Sequence, residues 1–179
     1  MSSRAKKEIF SWGKSLLAAL GIAFIVRTFV FAPYIVEGAS MEPTLHNHEK
    51  IFVARLTITG DIKRGEIIII KGKEENYVKR VIGLPGDTVE MKNDQLLING
   101  EVVKENYLSE NRELAKQMGS LLTGDFGPIT VPKNKLFVMG DNRLFSKDSR
   151  NGLGLIEENA IIGKSEFVFF PFSNIRGTN

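Results

Sequence analysis

A chain of 179 residues, 25% of them charged and 42% hydrophobic, builds one domain of ordinary size with room for a small lobe, and is too apolar to be disordered. The formal net charge is only +3, and Arg4, Lys6, Lys7 and Lys14 all fall in the first fourteen positions. That placement points to membrane topology, and the chain shows neither the basic-aromatic interleaving nor the helix-turn-helix pattern of a nucleic-acid binder. With no cysteine, disulfides, thiolate metal sites and a cysteine nucleophile are excluded.

Residues 1–14 read as a short cytoplasmic N-terminus and residues 15–36 as a transmembrane anchor. The run from Leu16 to Val36, LLAALGIAFIVRTFVFAPYIV, would cover the ~30 Å hydrocarbon core as a helix. Arg27 would cost up to ~3 kcal/mol at the centre of the span. It lies past the midpoint, where either its side chain reaches toward the outer interface or the span ends near it and leaves Thr28–Ala32 interfacial. A cleavable leader would have a shorter apolar core closed by a small-x-small site, whereas here Phe29-Val30-Phe31 prolongs the run. An amphipathic or buried core helix is the plainer alternative. Cations before the span put the N-terminus in the cytoplasm and everything from Pro33 outside. Directly afterwards, Gly38-Ala39-Ser40-Met41-Glu42-Pro43-Thr44-Leu45 makes a turn bearing a hydroxyl, which alone is only a loop serine.

Beyond Leu45 the pattern is one of short β runs separated by turn residues. Strands are predicted at Lys50–Ala54, Glu66–Lys71, Tyr77–Ile82 and Thr88–Lys92. Asn93-Asp94 turns the chain into Gln95–Asn99, and Asn99-Gly100 makes the next turn. Ser109–Leu122 has helical composition, weakened by Gly119. Residues 99–130 read as a small inserted lobe within a β-rich catalytic domain of residues 37–98 and 131–179. Strands resume at Lys135–Met139 and Ile161–Phe170, with a Gly-, Asn-, Asp- and Ser-rich loop between Gly140 and Leu155. The expected fold is therefore mainly β: antiparallel sheets, paired or barrel-like, preceded by one transmembrane helix.

Alternation sends Tyr77, Lys79 and Val81 to one face of their strand and Val78, Arg80 and Ile82 to the other, so one of two cations shares a face with a core. For an arbitrary sequence, an edge strand with both cations in solvent is the better reading. The sharper one makes Lys79 the general base for Ser40. A serine hydroxyl needs an adjacent base, and burial can lower a lysine pKa by 3–5 units into the working range. His46 and His48 are the only histidines; surface positions suit them better than a triad or a zinc site, for which no third histidine exists. Asp141 to Asp148 fails as a calcium loop because Arg143 and Phe145 stand where oxygen ligands belong.

Four stretches together carry a family resemblance. SMEPTL around Ser40, GDIKRGEIIII at Gly60–Ile70, YVKRVIGLPGD at Tyr77–Asp87 and GDNRLFSKDSR at Gly140–Arg150 stand in the order and spacing of type I signal peptidases. The resemblance spans nearly the whole chain and is closest to the Gram-positive type.

It implies Ser40 as nucleophile and Lys79 as general base, with Ser146 hydrogen-bonding and orienting that lysine. Asp148 and Arg150 would hold the site as a charge-assisted pair, Met41 and Tyr77 would line the substrate site, and Arg80 would be a structural cation. The oxyanion would be met by the Ser40 backbone N–H. Some members carry a second donor, a serine, at the position of Gly38, and its substitute here is open. The implied partners are secretory preproteins, cut after small residues at −3 and −1, and membrane lipid; no metal or other cofactor is required. Two other readings compete: a self-cleaving Ser-Lys protease of the repressor type, and a membrane-anchored β module without activity. Separation of Ser40 and Lys79 onto opposite faces would favour the last.

Overall fold

The computed structural model describes residues 3–25, 31–55 and 62–178. It opens with helix α1 (Ser3–Ile25) and continues through strands β1 (Phe31–Ile35), β2 (Lys50–Arg55), β3 (Ile67–Lys71), β4 (Asn76–Gly83), β5 (Thr88–Lys92), β6 (Gln95–Ile98) and β7 (Glu101–Val103). Helix α2 (Ser109–Gln117), β8 (Phe126–Thr130), β9 (Lys135–Met139), β10 (Ile156–Glu157), β11 (Ile161–Phe170) and β12 (Arg176–Gly177) complete the chain.

The N-terminal expectation needs correction. No helix among the described residues is long and apolar enough to cross a membrane. The apolar part of α1, Leu16–Ile25, covers about 15 Å of rise against the ~30 Å required, and residues 26–30 lie outside the described ones. Phe31–Ile35, assigned above to the anchor, is instead a strand paired in antiparallel register with β2, from Phe31 opposite Ala54 to Ile35 opposite Lys50. The reason is local. Pro33 lacks an N–H and suits an edge strand, and aromatic and β-branched neighbours favour extended backbone.

The larger sheet runs β1-β2-β11-β3-β4-β9-β10, with β12 attached to β11, and every pairing is antiparallel. Its order ends at β1 and β10, so it is an open sheet and not a closed barrel. Central β3 is almost wholly isoleucine, and Ile67, Ile68, Ile69 and Ile70 are all buried. A run of this kind suits a strand covered on both faces. One face packs Val36, Met41, Leu45, Ile51, Val53 and Ile69, and the other Ile68, Ile70, Val81, Leu136 and Val138. On β1, β2 and β11 the outward face is apolar and partly open: Ile35, Phe167 and Phe170 are exposed, as are Phe172 and Ile175 beyond them. Phe52 packs against Phe167 and Phe169 at 5.0 and 4.3 Å between ring centres.

The smaller sheet, β7-β6-β5-β8, begins at Thr88 and includes strands from the segment read as a lobe. Its tight turns are those the sequence announces. Asn93 and Asp94 have φ of 50° and 60°, and Asn99 and Gly100 have φ of 56° and 84°, the geometry of two-residue hairpins. Helix α2 stops at Gln117, short of the predicted Leu122, because Gly119 takes a left-handed φ of 66°.

Candidate active site

Ser40 sits in a run of turns between β1 and β2 in which the carbonyl groups of Ala39, Ser40, Met41, Glu42 and Thr44 are all engaged. Met41 and Leu45 drop into the core beneath, at 1% and 0% exposure, and Leu45 N–H closes on the Met41 carbonyl. The Ala39 carbonyl accepts from Asn142 Nδ2 and the Ser40 carbonyl from Asn142 N–H. The Glu42 carbonyl accepts from Asn111 Nδ2 at 3.1 Å. Thr44 Oγ1 donates to Asp141 Oδ2 at 2.6 Å. The Ser40 turn is thus clamped on the loop that follows β9. Gly140 is required there, because a Cβ would collide with the Ser40 carbonyl and the Ser146 hydroxyl.

Lys79 comes from β4. Its Nζ donates to Ser40 Oγ at 2.7 Å and to the Val78 carbonyl at 2.9 Å. The residue is only 3% exposed, and this burial pulls its pKa down to about 8 against the opposing charges of Asp148, Asp141 and Glu75. The next residue, Arg80, is buried too, so both cations leave solvent and the edge-strand reading fails. Arg80 forms a two-pronged pair with Asp141, Nε to Oδ1 at 2.9 Å and Nη2 to Oδ2 at 2.7 Å, and Nη1 donates to the Gly65 carbonyl. Its guanidinium also lies 4.1 Å from the centre of the Tyr107 ring.

Asp148 and Arg150 are joined in the same forked manner, at 2.9 and 2.8 Å, and Asp148 Oδ2 also accepts from the Gly140 N–H. Burial would raise the Asp148 pKa, but the Arg150 hydrogen bonds and charge outweigh it and hold the carboxyl below its ordinary value. Ser146 is buried in this loop beside Asp148, whose carboxyl it helps to hold low, and its hydroxyl closes no hydrogen bond to Lys79. The expected bond to the lysine is not made: the two donors of Nζ described above go to Ser40 and Val78. Both acids of the rejected calcium loop are occupied by arginines. His46 and His48 are exposed, and no cluster of three or more metal-ligating side chains occurs among the described residues.

A groove of about 770 Å³ opens over the pair, flanked by Pro33, Tyr34, Ile35 and Gly38 on one side and by Glu74, Glu75, Tyr77 and Val78 on the other. Tyr77 lines it, and Met41 lies below in the core. Gly38 has a φ of 84°, and its N–H is taken by Asn47 Oδ1 at 2.9 Å. Among the described residues the Ser40 N–H is given to no backbone or side-chain acceptor. Phe145, 79% exposed, and Lys147 also border the groove. Neither was singled out from the sequence, although an aromatic between two buried loop residues, Arg143 and Ser146, is a readable signal.

A second network went unread. Glu105, 4% exposed, accepts from Arg143 and Arg112 and from the Tyr107 hydroxyl. Burial alone would lower the Arg143 pKa, but Glu105, with Tyr107 and Asp141, more than offsets it and the net shift is upward. Glu105 and Arg112 look like ordinary surface residues in the sequence, and only the folded lobe brings them under the loop.

Known proteins resemble this chain in sequence and in fold. The family model described as signal peptidase, peptidase S26, matches residues 9–170. Signal peptidase I P of Bacillus subtilis subsp. natto is 60% identical over 97% of this chain and 95% of its own length. Signal peptidase I S of Bacillus subtilis strain 168 is 56% identical over 97% and 96%. A solved structure of a signal peptidase I from Enterococcus faecalis V583 matches with a TM-score of 0.51 at 35% identity, covering 58% of this chain and 96% of that one.

Proposed function

Since the chain belongs to the signal peptidase family, peptidase S26, whose members of the signal peptidase I type are serine peptidases, we propose that it is a membrane-anchored endopeptidase that frees secretory preproteins of their signal peptides through a Ser40/Lys79 dyad. The observation that carries the dyad is the 2.7 Å contact between Lys79 Nζ and Ser40 Oγ. With a pKa near 8, roughly a tenth of the lysine is neutral at pH 7, hundreds of times more than for a free side chain.

In the proposed mechanism a preprotein's cleavage region enters the groove in extended form, between the segments 33–40 and 74–79. The lone pair of neutral Lys79 takes the Ser40 proton as Oγ attacks the scissile carbonyl carbon. The Ser40 N–H, which has no acceptor among the described residues, donates to the oxyanion. Lys79 then protonates the departing amine as the C–N bond breaks. The resulting neutral lysine draws a proton from water as its oxygen attacks the ester carbonyl, then returns that proton to Ser40 Oγ as the ester C–O bond breaks and the signal peptide leaves with a free carboxyl group. Asp148 and Arg150 hold the loop that covers the lysine. Preference for small residues at −3 and −1 rests on the family.

Membrane attachment draws on α1. Trp12, Leu16, Leu17, Leu20 and Ile22 are all exposed, a state that water disfavours and lipid does not. The outward phenylalanines of β11 and the segment after it supply a second apolar surface.

Purified full-length enzyme given a preprotein, with the products read by mass, tests the reading. Ser40→Ala and Lys79→Ala should each lower kcat by at least about 10³-fold. If Lys79→Ala cleaves at the full rate, the dyad is wrong, and cuts after bulky residues would refute the specificity.

A further inference from the structure

We infer that Arg176, at the C-terminal end of the chain, is a positioning residue for the nucleophile turn; the inference rests on Ser40 being the nucleophile. Arg176 lies in β12, beyond the residues 9–170 matched by the family model, so the family match assigns it nothing. β12 pairs with β11 through Phe167–Gly177 and Val168–Arg176. From there the guanidinium reaches back across the sheet to the segment between Ser40 and β2.

Its two terminal nitrogens grip Glu49, Nη1 to Oε1 at 2.8 Å and Nη2 to Oε2 at 2.7 Å. Nη2 also donates to the Thr44 carbonyl at 2.7 Å. Glu49 is 2% exposed, and its Oε2 accepts from the His46 N–H while Oε1 accepts from Asn174. The arginine therefore holds the turn at two points, directly at Thr44 and through Glu49 at His46. Thr44 is held from the other side as well, because its hydroxyl donates to Asp141, the partner of Arg80. Arg80 adjoins Lys79 in β4, so Thr44 is fixed between the C-terminal strand and the support of the lysine. Three residues separate Thr44 from Ser40. Slack at Thr44 passes into the Ser40–Lys79 distance, and the bond between them is useful only near its present length.

Arg176→Lys tests this. An ammonium keeps a charge beside Glu49 but has one nitrogen where the guanidinium uses two, so it cannot hold both carboxylate oxygens in the fork and the Thr44 carbonyl at once. In the full-length chain in detergent, kcat for a signal-sequence peptide should fall about tenfold with KM unchanged. The double variant Glu49→Gln/Arg176→Met removes the pair together and so leaves no buried charge unpaired. It should show the same loss of kcat while its melting temperature stays near that of the parent. Full kcat in both variants overturns the inference, and so does a loss that merely follows falling melting temperature, or one confined to KM. A parallel Ser40→Ala control separates the two claims. If Ser40→Ala remains active, the nucleophile assignment fails; if it is dead while Arg176→Lys is fully active, only the positioning role fails.

Discussion

The base role proposed for Lys79 needs a neutral amine, and Lys79 is partly neutral because it is buried, and buried without a carboxylate in direct contact. Asp148, Asp141 and Glu75 act on it only at a distance, each favouring the charged form, and desolvation outweighs them. The sign of the pH response follows. Below about pH 8 the lysine holds its proton and cannot accept one from Ser40, so the acylation rate should rise with pH and level off above 8. The same shift has a cost in stability: between pH 8 and the ordinary lysine pKa of 10.5 the unfolded chain binds a proton that the folded chain has released. Stability therefore increases with pH through that window, and the full penalty of burying the charge is felt below it. Glu75 offers the cleanest perturbation, being exposed at the β3–β4 turn and forming no ion pair among the described residues. Glu75→Gln removes one charge that favours protonated Lys79, so the limb of the kcat/KM profile should move to lower pH. An unmoved limb, or one displaced upward, would mean that another group titrates in the profile.

The elements that carry the site were legible to different degrees, for physical reasons. Strands β5, β9 and β11 carry apolar or alternating runs that end on turn residues, and they appear with the bounds the sequence announces. β1 was hidden because an apolar run is compatible with lipid and with a sheet, and only pairing with β2 decides between them. Ser40 and Lys79 were readable from motif order. The engagement of Glu105 with Arg143, and of Glu49 with Arg176, was not, since each joins charged residues far apart in the chain that look solvated singly. Element packing also leaves a tight tolerance at the exit of β9. A methyl group at Gly140 would meet the Ser40 carbonyl and the Ser146 side chain, and the backbone carbonyl cannot swing aside. Gly140→Ala should cost about 1–3 kcal/mol of stability through overpacking. Because the displaced group belongs to the nucleophile turn, kcat should fall about a hundredfold as well. Gly177→Ala, where an added Cβ meets nothing within 4 Å, should alter neither, and paired thermal melts and peptide kinetics separate the two. Equal behaviour of the two variants would show that the contact with Ser40 is not rigid.

At the scale of the molecule, the short path from α1 to the groove governs how the enzyme can meet a substrate. Residues 26–30 are all that separate the end of α1 from β1, and such a stretch spans at most roughly 20 Å. β1 itself lines the groove through Pro33, Tyr34 and Ile35, and Ser40 follows five residues after its end. Whatever surface holds α1 therefore holds the groove close by, within reach of a chain still emerging from that surface. The outward face of β1, β2 and β11 is the part of the sheet best suited to rest there. Ile35, Lys50 and Phe170 lie in one cross-strand row, and Phe172 packs edge-on against Phe170 at 5.7 Å. In the proposed topology the cations before Leu16 stay in the cytoplasm and the sheets lie outside. Because the chain lacks cysteine, single substitutions give clean reporters. Lys133→Cys, on an exposed turn, should react with a membrane-impermeant maleimide in intact protoplasts. Ser3→Cys should react only after permeabilisation. Labelling of Ser3→Cys alone in intact protoplasts would invert the topology and leave the nucleophile on the wrong side for an exported substrate. Recovery of the protein in the soluble fraction would mean that α1 does not anchor it, and the groove's closeness to the membrane would then need another cause, for which the phenylalanine face is a candidate.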